Sequence, residues 1–328
     1  MMVAMRHCLV TGGLGFIGST LARTAAARGA RVTVVDNLLA GCGGRREHLR
    51  GVPGNVRVVE GDARDRKLVE TLVEECDVVF SLAGKTSHIE SMEDPDADLE
   101  HNVRTALATL EAVRERNPAA RVIYASTRQV YGVPQTLPVS ETHPTAPVDV
   151  NGIHKLAAEW YHRLYASAYG LSTISLRLTN TYGPRQLIRH NRQGFMGWFV
   201  RLALEGRPIT VYGDGSQQRD LLFVDDAVEA LLRVATADFA PGDVLNVPGS
   251  EVTSLARIAQ LMCEISGKGR LELVPYPNQR RAIDIGDFFA DGARLKELIG
   301  WSPATTLVDG LRRTFDYFRP QLRSYLEA

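Results

Sequence analysis

The chain lacks the features that would tie it to a charged, lipid or oxidising environment. It carries 38 Lys and Arg against 38 Asp and Glu, so no net field draws it to nucleic acid or to an anionic membrane. No apolar stretch of membrane-spanning length occurs. The first residues run almost at once into a short apolar segment, without the apolar core and cleavage site of a signal peptide. Four cysteines are present, Cys8, Cys42, Cys76 and Cys263, and they share neither C-x-x-C nor metal-ligand spacing. They read as reduced thiols of a cytoplasmic protein, and no metal is expected. Neither a repeat nor a low-complexity segment occurs along the 328 residues. That length exceeds one ordinary core and falls short of three. With 45% apolar and 23% charged residues, the composition is that of a globular domain.

What is present begins at residue 7. Residues 7–11 form a short apolar run, and Gly12-Gly13-Leu14-Gly15-Phe16-Ile17-Gly18 follows at once. Residues 19–28 have helical composition, and residues 31–35 are a second apolar run ending in Asp36. Strand, glycine loop, helix, strand and acid in this order make a dinucleotide-binding crossover. One glycine permits the tight turn, one lets the backbone approach a pyrophosphate, and one lets helix pack close on strand. The helix that starts there aims its N–H groups and positive dipole end at the phosphates. Asp36 stands where a carboxylate accepts hydrogen bonds from the adenine-side ribose, and it would repel a 2′-phosphate, which favours NAD over NADP.

Strand and helix patterns then alternate. Residues 56–60, 77–82, 121–125 and 172–178 read as strands, and residues 66–76, 99–116 and 151–169 as helices. Such alternation predicts an α/β fold, a Rossmann-type doubly wound parallel sheet with helices on both faces. The character changes after Gly183-Pro184. A helix over 195–205 precedes a Gly/Pro-rich, hairpin-like stretch over 206–215, and residues 221–235 resemble another strand-helix unit. Residues 253–328 carry shorter helices broken by glycine and proline. The expected division is a dinucleotide-binding domain over 1–184, rejoined by about 222–249, and a smaller α/β substrate domain over 185–221 and 250–328. The second should cover the carboxyl ends of the strands, where open α/β sheets bind ligands.

Further strings coincide in order. They include Gly61-Asp62, Leu82-Ala83-Gly84, Asn102-Val103, Ser126-Thr127 with Val130-Tyr131-Gly132, Lys155, Asn180-Thr181-Tyr182-Gly183-Pro184-Arg185, Tyr212-Gly213-Asp214-Gly215, Gln218-Arg219-Asp220 and Gly300-Trp301-Ser302-Pro303. Over nearly its whole length the chain resembles the extended short-chain dehydrogenase/reductase family of NAD-dependent nucleotide-sugar epimerases and dehydratases, in particular the UDP-glucose 4-epimerase type. The resemblance implies an enzyme that oxidises a sugar carbon with NAD, alters the ketone and returns the hydride. It implies that Gly12, Gly15, Phe16, Ile17 and Gly18 meet the pyrophosphate, that Asp36 and Asn37 hold the adenosine ribose, and that Asp62 and Ala63 flank the adenine. It also implies that Leu82, Ala83, Gly84, Lys85, Asn102 and Ser126 wall the cofactor toward its nicotinamide end. Lys155 matches the lysine of the nicotinamide ribose, and Thr127 the hydroxyl residue that touches the reacting sugar oxygen. A homodimer through the segments 99–116 and 151–169 is expected by the same resemblance.

Three departures stand against this pattern. The family's Tyr-x-x-x-Lys becomes Asn151-Gly152-Ile153-His154-Lys155, and an amide has no accessible titration with which to take a proton. Either another group carries the proton (Lys155, His154, His88, Tyr131 or Tyr182), or the protein binds without oxidising, or the helix register shifts. Next, the Asp-Glu pair that family dehydratases carry after the threonine is Arg128-Gln129, which cannot serve as an acid/base pair. The decarboxylases' Glu is likewise absent at Gln129. The loop 85–91 instead resembles the 4-epimerase version, with Glu90-Ser91 on the substrate side. Finally, Asp284 stands where many relatives carry a phosphate-binding arginine; either Arg280 or Arg281 substitutes for it, or the substrate differs from an ordinary UDP- or dTDP-hexose. Arg219 matches the arginine that grips the diphosphate, Asn180 meets the same group, and Tyr212 belongs to the segment around the base. The reading is a 4-epimerase-type recycler of NAD acting on a nucleotide sugar. A dehydratase or decarboxylase with atypical proton-transfer groups and a silent binding protein are the alternatives.

Overall fold

The computed structural model describes residues 5–277 and 284–327. Its strands are β1 (His7–Thr11), β2 (Arg31–Asp36), β3 (Val56–Glu60), β4 (Val78–Ser81), β5 (Arg121–Thr127), β6 (Thr173–Leu178), β7 (Asn180–Tyr182), β8 (Pro208–Tyr212), β9 (Gln218–Phe223), β10 (Asp243–Val247), β11 (Glu251–Ser254) and β12 (Arg270–Val274). Seven of them form one sheet in the order β10-β6-β5-β4-β1-β2-β3, and every pairing in it is parallel. This is the doubly wound sheet that the alternation of patterns predicts. The chain runs outward from β1 in one direction and from β4 in the other, so the crevice between them opens at the switch point.

The strands are apolar on both faces because helices cover both. Cys8 and Val10 pack with α1 (Phe16–Ala27) on one side, while Leu9 packs with α2 (Arg66–Val73) on the other. The α2 helix begins at Asp65, whose carboxylate accepts from the N–H groups of Lys67 (3.0 Å) and Leu68 (3.2 Å). Beyond β4 lie α3 (His88–Glu93) and α4 (Pro95–Leu99), and then a wide π turn over Glu100–Arg104 leads into α5 (Thr105–Arg116). One uninterrupted helix over 99–116 is therefore not formed. The wide turn instead seats Asn102 in the interior, and such bulges gather at functional places. The α6 helix (Val150–Tyr169) runs unbroken from its Asp149 cap to Gly170, which takes a left-handed φ.

A second apolar core gathers α7 (Phe195–Glu205), β8, β9, α8 (Val224–Thr236), α9 (Leu255–Ser266) and the helix Leu307–Phe318 around Phe199, Ile209, Met262 and Phe315. Here the stretch 206–215 is not a hairpin. The β8 strand pairs in parallel with β12, far along the chain. The Gly213-Asp214-Gly215 turn, with φ near +71° at both glycines, carries the chain away to β9, which pairs with β7 and β11. The β10 strand then returns to the main sheet beside β6. Among the described residues no helix is long and apolar enough to cross a membrane, and no group of three or more His, Cys, Asp or Glu could hold a metal ion.

Candidate active site

The glycine loop sets the geometry of the crevice. Gly12 has φ +70°, and a Cβ there would lie 2.9 Å from the Cα of Ala83. A Cβ on Gly18 would lie 2.2 Å from the carbonyl oxygen of Gly12. Side chains at either place would push the loop off the sheet. Gly15 caps α1 without any side-chain hydrogen bond, so the first-turn N–H groups stay open to an anion. Gly12, Gly15, Phe16, Ile17, Gly18, Asp36 and Asn37 line a cavity of about 320 Å³. Asp36 is held at the tip of β2 by the N–H groups of Leu14 (3.0 Å) and Leu38 (2.9 Å).

The same cavity runs past Leu82 and Gly84 to Ser126, Thr127, Asn151, Lys155 and Asn180. The Nζ of Lys155 donates to the Ala125 carbonyl (3.2 Å) and lies 5.1 Å from the centre of the Tyr124 ring. Burial pushes its ammonium down to about 8, against the pull of Asp98 and Glu159. Ser126 donates its hydroxyl to the buried Glu159, and the Thr127 hydroxyl accepts from the Gln129 N–H (3.2 Å). Asn102 lies behind Gly84, buried, with neither amide atom partnered. An unpaired buried amide costs free energy unless a ligand meets it. Uncapped helix, glycine strip, ribose-side carboxylate and orphan amide together fit a dinucleotide.

A second cavity of about 380 Å³ adjoins the first. Tyr212, Tyr276, Trp198, Phe195 and Arg219 are among its walls. The rings of Tyr212 and Tyr276 stand 5.5 Å apart. Arg219 donates to the carbonyls of Gln218 (2.8 Å) and Gly286, and lies 3.5 Å from Asp284. Its ion-pair partner is therefore Asp284. Five residues line both cavities: His88, Arg128, Gln129, Gly194 and Phe195. Arg128 donates to Asn180 (3.1 Å) and faces the Phe288 ring at 5.2 Å. Burial and the charge of Arg219 push its guanidinium down to about 9. One of its terminal nitrogens and the Asn180 amide nitrogen are buried without a partner, so this seam too is built for a polar ligand.

Several expected residues stand elsewhere. Asp62 is clasped by the Arg64 fork (2.7–3.2 Å), which holds its carboxyl well below the ordinary value, and it reaches the cavity only through Asn37 (3.1 Å). Ala63 is packed in the core and Ala83 against it. Lys85 and Arg192 share Glu90 (3.7 and 3.1 Å). Ser91 is buried, donating to the His88 carbonyl (3.0 Å) and accepting from the Asn151 N–H (3.2 Å). Lys85, Glu90 and Ser91 line neither cavity. Arg280 and Arg281 lie outside the described residues. Asn151 spends both amide hydrogens, on the Lys85 carbonyl (2.9 Å) and on Asp98 (3.0 Å). It clamps α6 to the loop after β4. Sequence reasoning missed Asp149 and Asp98. The first was readable as the helix cap before Val150, while the second meets its partners only in three dimensions.

The family model described as NAD dependent epimerase/dehydratase family matches residues 8–247. The dTDP-glucose 4,6-dehydratase of Xanthomonas campestris pv. campestris is 33% identical, over 96% of this chain and 93% of that protein. The UDP-glucose 4-epimerase of Mycolicibacterium smegmatis is 34% identical, over 95% and 98%. Among solved structures, the UDP-glucose 4-epimerase of Thermus thermophilus in complex with NAD superposes with a TM-score of 0.84 at 34% identity, over 96% and 99%. Together with the crevice, this similarity makes the chain a member of the NAD-dependent epimerase/dehydratase family, an extended short-chain dehydrogenase/reductase enzyme whose cofactor is NAD.

Proposed function

We propose that the chain is a nucleotide-sugar epimerase of the 4-epimerase type. The supporting observation is the seam itself. Where a dehydratase needs an acid and a base, Arg128 is spent on Asn180 and Gln129 on Asp149 (2.8 Å). Neither can protonate a leaving hydroxyl or abstract a carbon-bound proton at neutral pH. An epimerase has no such need, because its ketone only turns and takes hydride on its other face. Bound NAD supplies the hydride acceptor and returns the hydride. The chain's own groups do the rest. Thr127 and Lys155 flank the reacting oxygen, Arg128 and Asn180 offer unpartnered N–H groups to the sugar or its phosphates, and Arg219 draws the diphosphate. Residues 1–184 with 222–249 act as the cofactor unit, and residues 185–221 with 250–328 as the sugar-nucleotide unit.

Incubating the protein with NAD and UDP-, dTDP-, CDP- and GDP-sugars, with products read by NMR, tests this reading. An inverted C4 centre is the expected result. A 4-keto-6-deoxy product, or binding without turnover of every sugar, would overturn it.

The reading includes a homodimer. Ile153, Trp160 and Leu164 are each more than half exposed on α6, and their spacing of seven and four residues puts them on one helix face. A second copy of α6 would cover that stripe. The double variant Trp160→Glu, Leu164→Glu is expected to sediment as a monomer where the parent sediments as a dimer.

A further inference from the structure

The chain lacks the tyrosine that its relatives' pattern places four residues before the lysine, and Asn151 has no hydrogen left to give. We infer that His88, oriented by Asp149, is the proton-transfer group of this enzyme, an inference that rests on the recycling reading above.

The phenols are removed by their positions: Tyr212 and Tyr276 border only the second cavity, not the cofactor crevice, and three others are spent or sealed. Tyr131 donates to Asn246 (2.7 Å), Tyr182 points to the Leu307 carbonyl (3.5 Å), and Tyr124 is sealed in the interior. None of the three lines either cavity. His154 is bound to Asp98 (2.8 Å) and lines neither. His101 borders only the first cavity. Of the five residues shared by both cavities, His88 alone has a side chain that ordinarily exchanges a proton near neutrality.

Its setting is built. His88 opens α3 behind a Ser87 cap (3.1 Å to the Glu90 N–H). Its Nδ1 is buried 3.0 Å from an Asp149 carboxylate oxygen, while a third of the side chain remains exposed at the seam. That nitrogen makes no hydrogen bond among the described residues; the Asp149 oxygen 3.0 Å away is placed for an ion pair. The carboxylate itself is fixed, accepting from the Gly152 N–H (2.7 Å) and from the Gln129 amide (2.8 Å). Gln129 is in turn tied to Thr127 (3.2 Å). A turn of the ring that brings the Nδ1 proton onto the Asp149 oxygen leaves the free lone pair on Nε2. A histidine held by a carboxylate in one tautomer is the arrangement of a general base. Asp149 is the positioning residue.

The step balances. The sugar carbinol loses its hydroxyl proton to Nε2 and its carbon-bound hydrogen, with both electrons, to the cofactor. The carbon would thereby be oxidised to a ketone by the two-electron acceptor that bound NAD supplies, and His88 would become an imidazolium. Return of hydride to the other face is accompanied by return of that proton. Charged groups on the packed elements around His88 are Asp149 at the head of α6, Arg128 after β5, and Lys85, Glu90 and Arg192.

Histidine-labelled protein tests the inference in two ways. NMR of the ring nitrogens, with the His88 signal identified from its absence in His88→Gln, should show a single tautomer with the proton on Nδ1 in the parent and a mixture of tautomers in Asp149→Asn. Asn caps a helix as well as Asp does, so α6 survives the change. On UDP-glucose, or whichever sugar of the panel is turned over, His88→Gln should lose roughly 100-fold in kcat/KM. It should also lose the acid limb of the pH profile, with the melting temperature unchanged. An unchanged His88 tautomer in Asp149→Asn, or an acid limb that persists in His88→Gln, overturns the assignment. Turnover of no sugar by the parent enzyme overturns the recycling reading and His88's role together, whereas parent turnover with an unaltered His88→Gln overturns the role alone.

Discussion

Replacing Lys155 by Met is expected to lower turnover by two orders of magnitude or more and, at the same time, to raise the stability of the cofactor-free protein. The Nζ has one hydrogen-bond partner, the Ala125 carbonyl, and among the described residues no carboxylate lies within ion-pair distance of it. Burial holds its pKa near 8, below the 10.5 of a free side chain. The sign follows from linkage. Below about pH 8 both the folded and unfolded chains carry the ammonium, and the folded one bears the full cost of burying it. Between about 8 and 10.5 the folded chain has shed a proton that the unfolded chain still holds, so the cost fades as the pH rises. At pH 7 that cost is on the order of 3 kcal/mol. Met has a similar reach without the charge, and its introduction strands no carboxylate, so Lys155→Met should gain about 1–3 kcal/mol. The gain should dwindle toward pH 10. Thermal melts at pH 7 and pH 10 measure it. On the proposed reading turnover falls because a preoriented cation beside the reacting oxygen is gone, an effect of about 100-fold or more. A variant with parent turnover would show that the ammonium is not used, and one that melts lower at pH 7 would show that its burial is not costly.

How much of this could be read in the sequence divides along physical lines. The sheet was legible because its central strands are buried on both faces and carry short apolar runs, such as residues 8–10 or 78–80, while β3 at the edge stays partly exposed. The cofactor crevice was legible because its requirements are local. Gly12, Gly15 and Gly18 are dictated by backbone approach within one loop, and Asp36 by the end of the next strand. Residues whose place depends on a helix phase or on distant chain were not legible. Glu90 and Ser91 match family strings position by position, yet α3 turns them behind the wall and turns His88 toward the seam. Asp62 lies beside the crevice in sequence order, but Arg64, two residues on, takes both of its oxygens. The parallel β8–β12 pair joins segments about 60 residues apart, and nothing in the turn at Gly213 announces it. Asp98 stands against both Asn151 and His154, across more than 50 residues of chain, a contact that no spacing rule encodes.

Removing Glu159 should cost more stability than removing any exposed acid of this protein. Glu159 projects from α6 with 1% of its surface exposed, opposite Arg177 of β6 at 5%. Its two oxygens accept from Nε of Arg177 at 2.9 and 3.2 Å and from Nη2 at 2.6 Å, and one of them also accepts from Ser126. The Arg177 guanidinium lies 4.6 Å from the centre of the Tyr131 ring. In Glu159→Ala the guanidinium would remain in the interior with no countercharge, a loss of about 3–5 kcal/mol. An exposed pair such as Arg323 and Glu327, 4.0 Å apart, is screened by solvent, and its removal should leave the melting temperature unchanged. The double variant Glu159→Met, Arg177→Met separates the two parts of the effect. It removes the stranded charge along with the pair, and should recover most of the loss. Activity should not recover with it, because Ser126 at the end of β5 still lacks its acceptor and the wall beside Thr127 loses its anchor. Chemical denaturation of the three proteins, with NAD affinity measured on each, decides the matter. A Glu159→Ala protein as stable as the parent would mean that Arg177 finds water or another acceptor, and that the wall of the crevice does not depend on this pair.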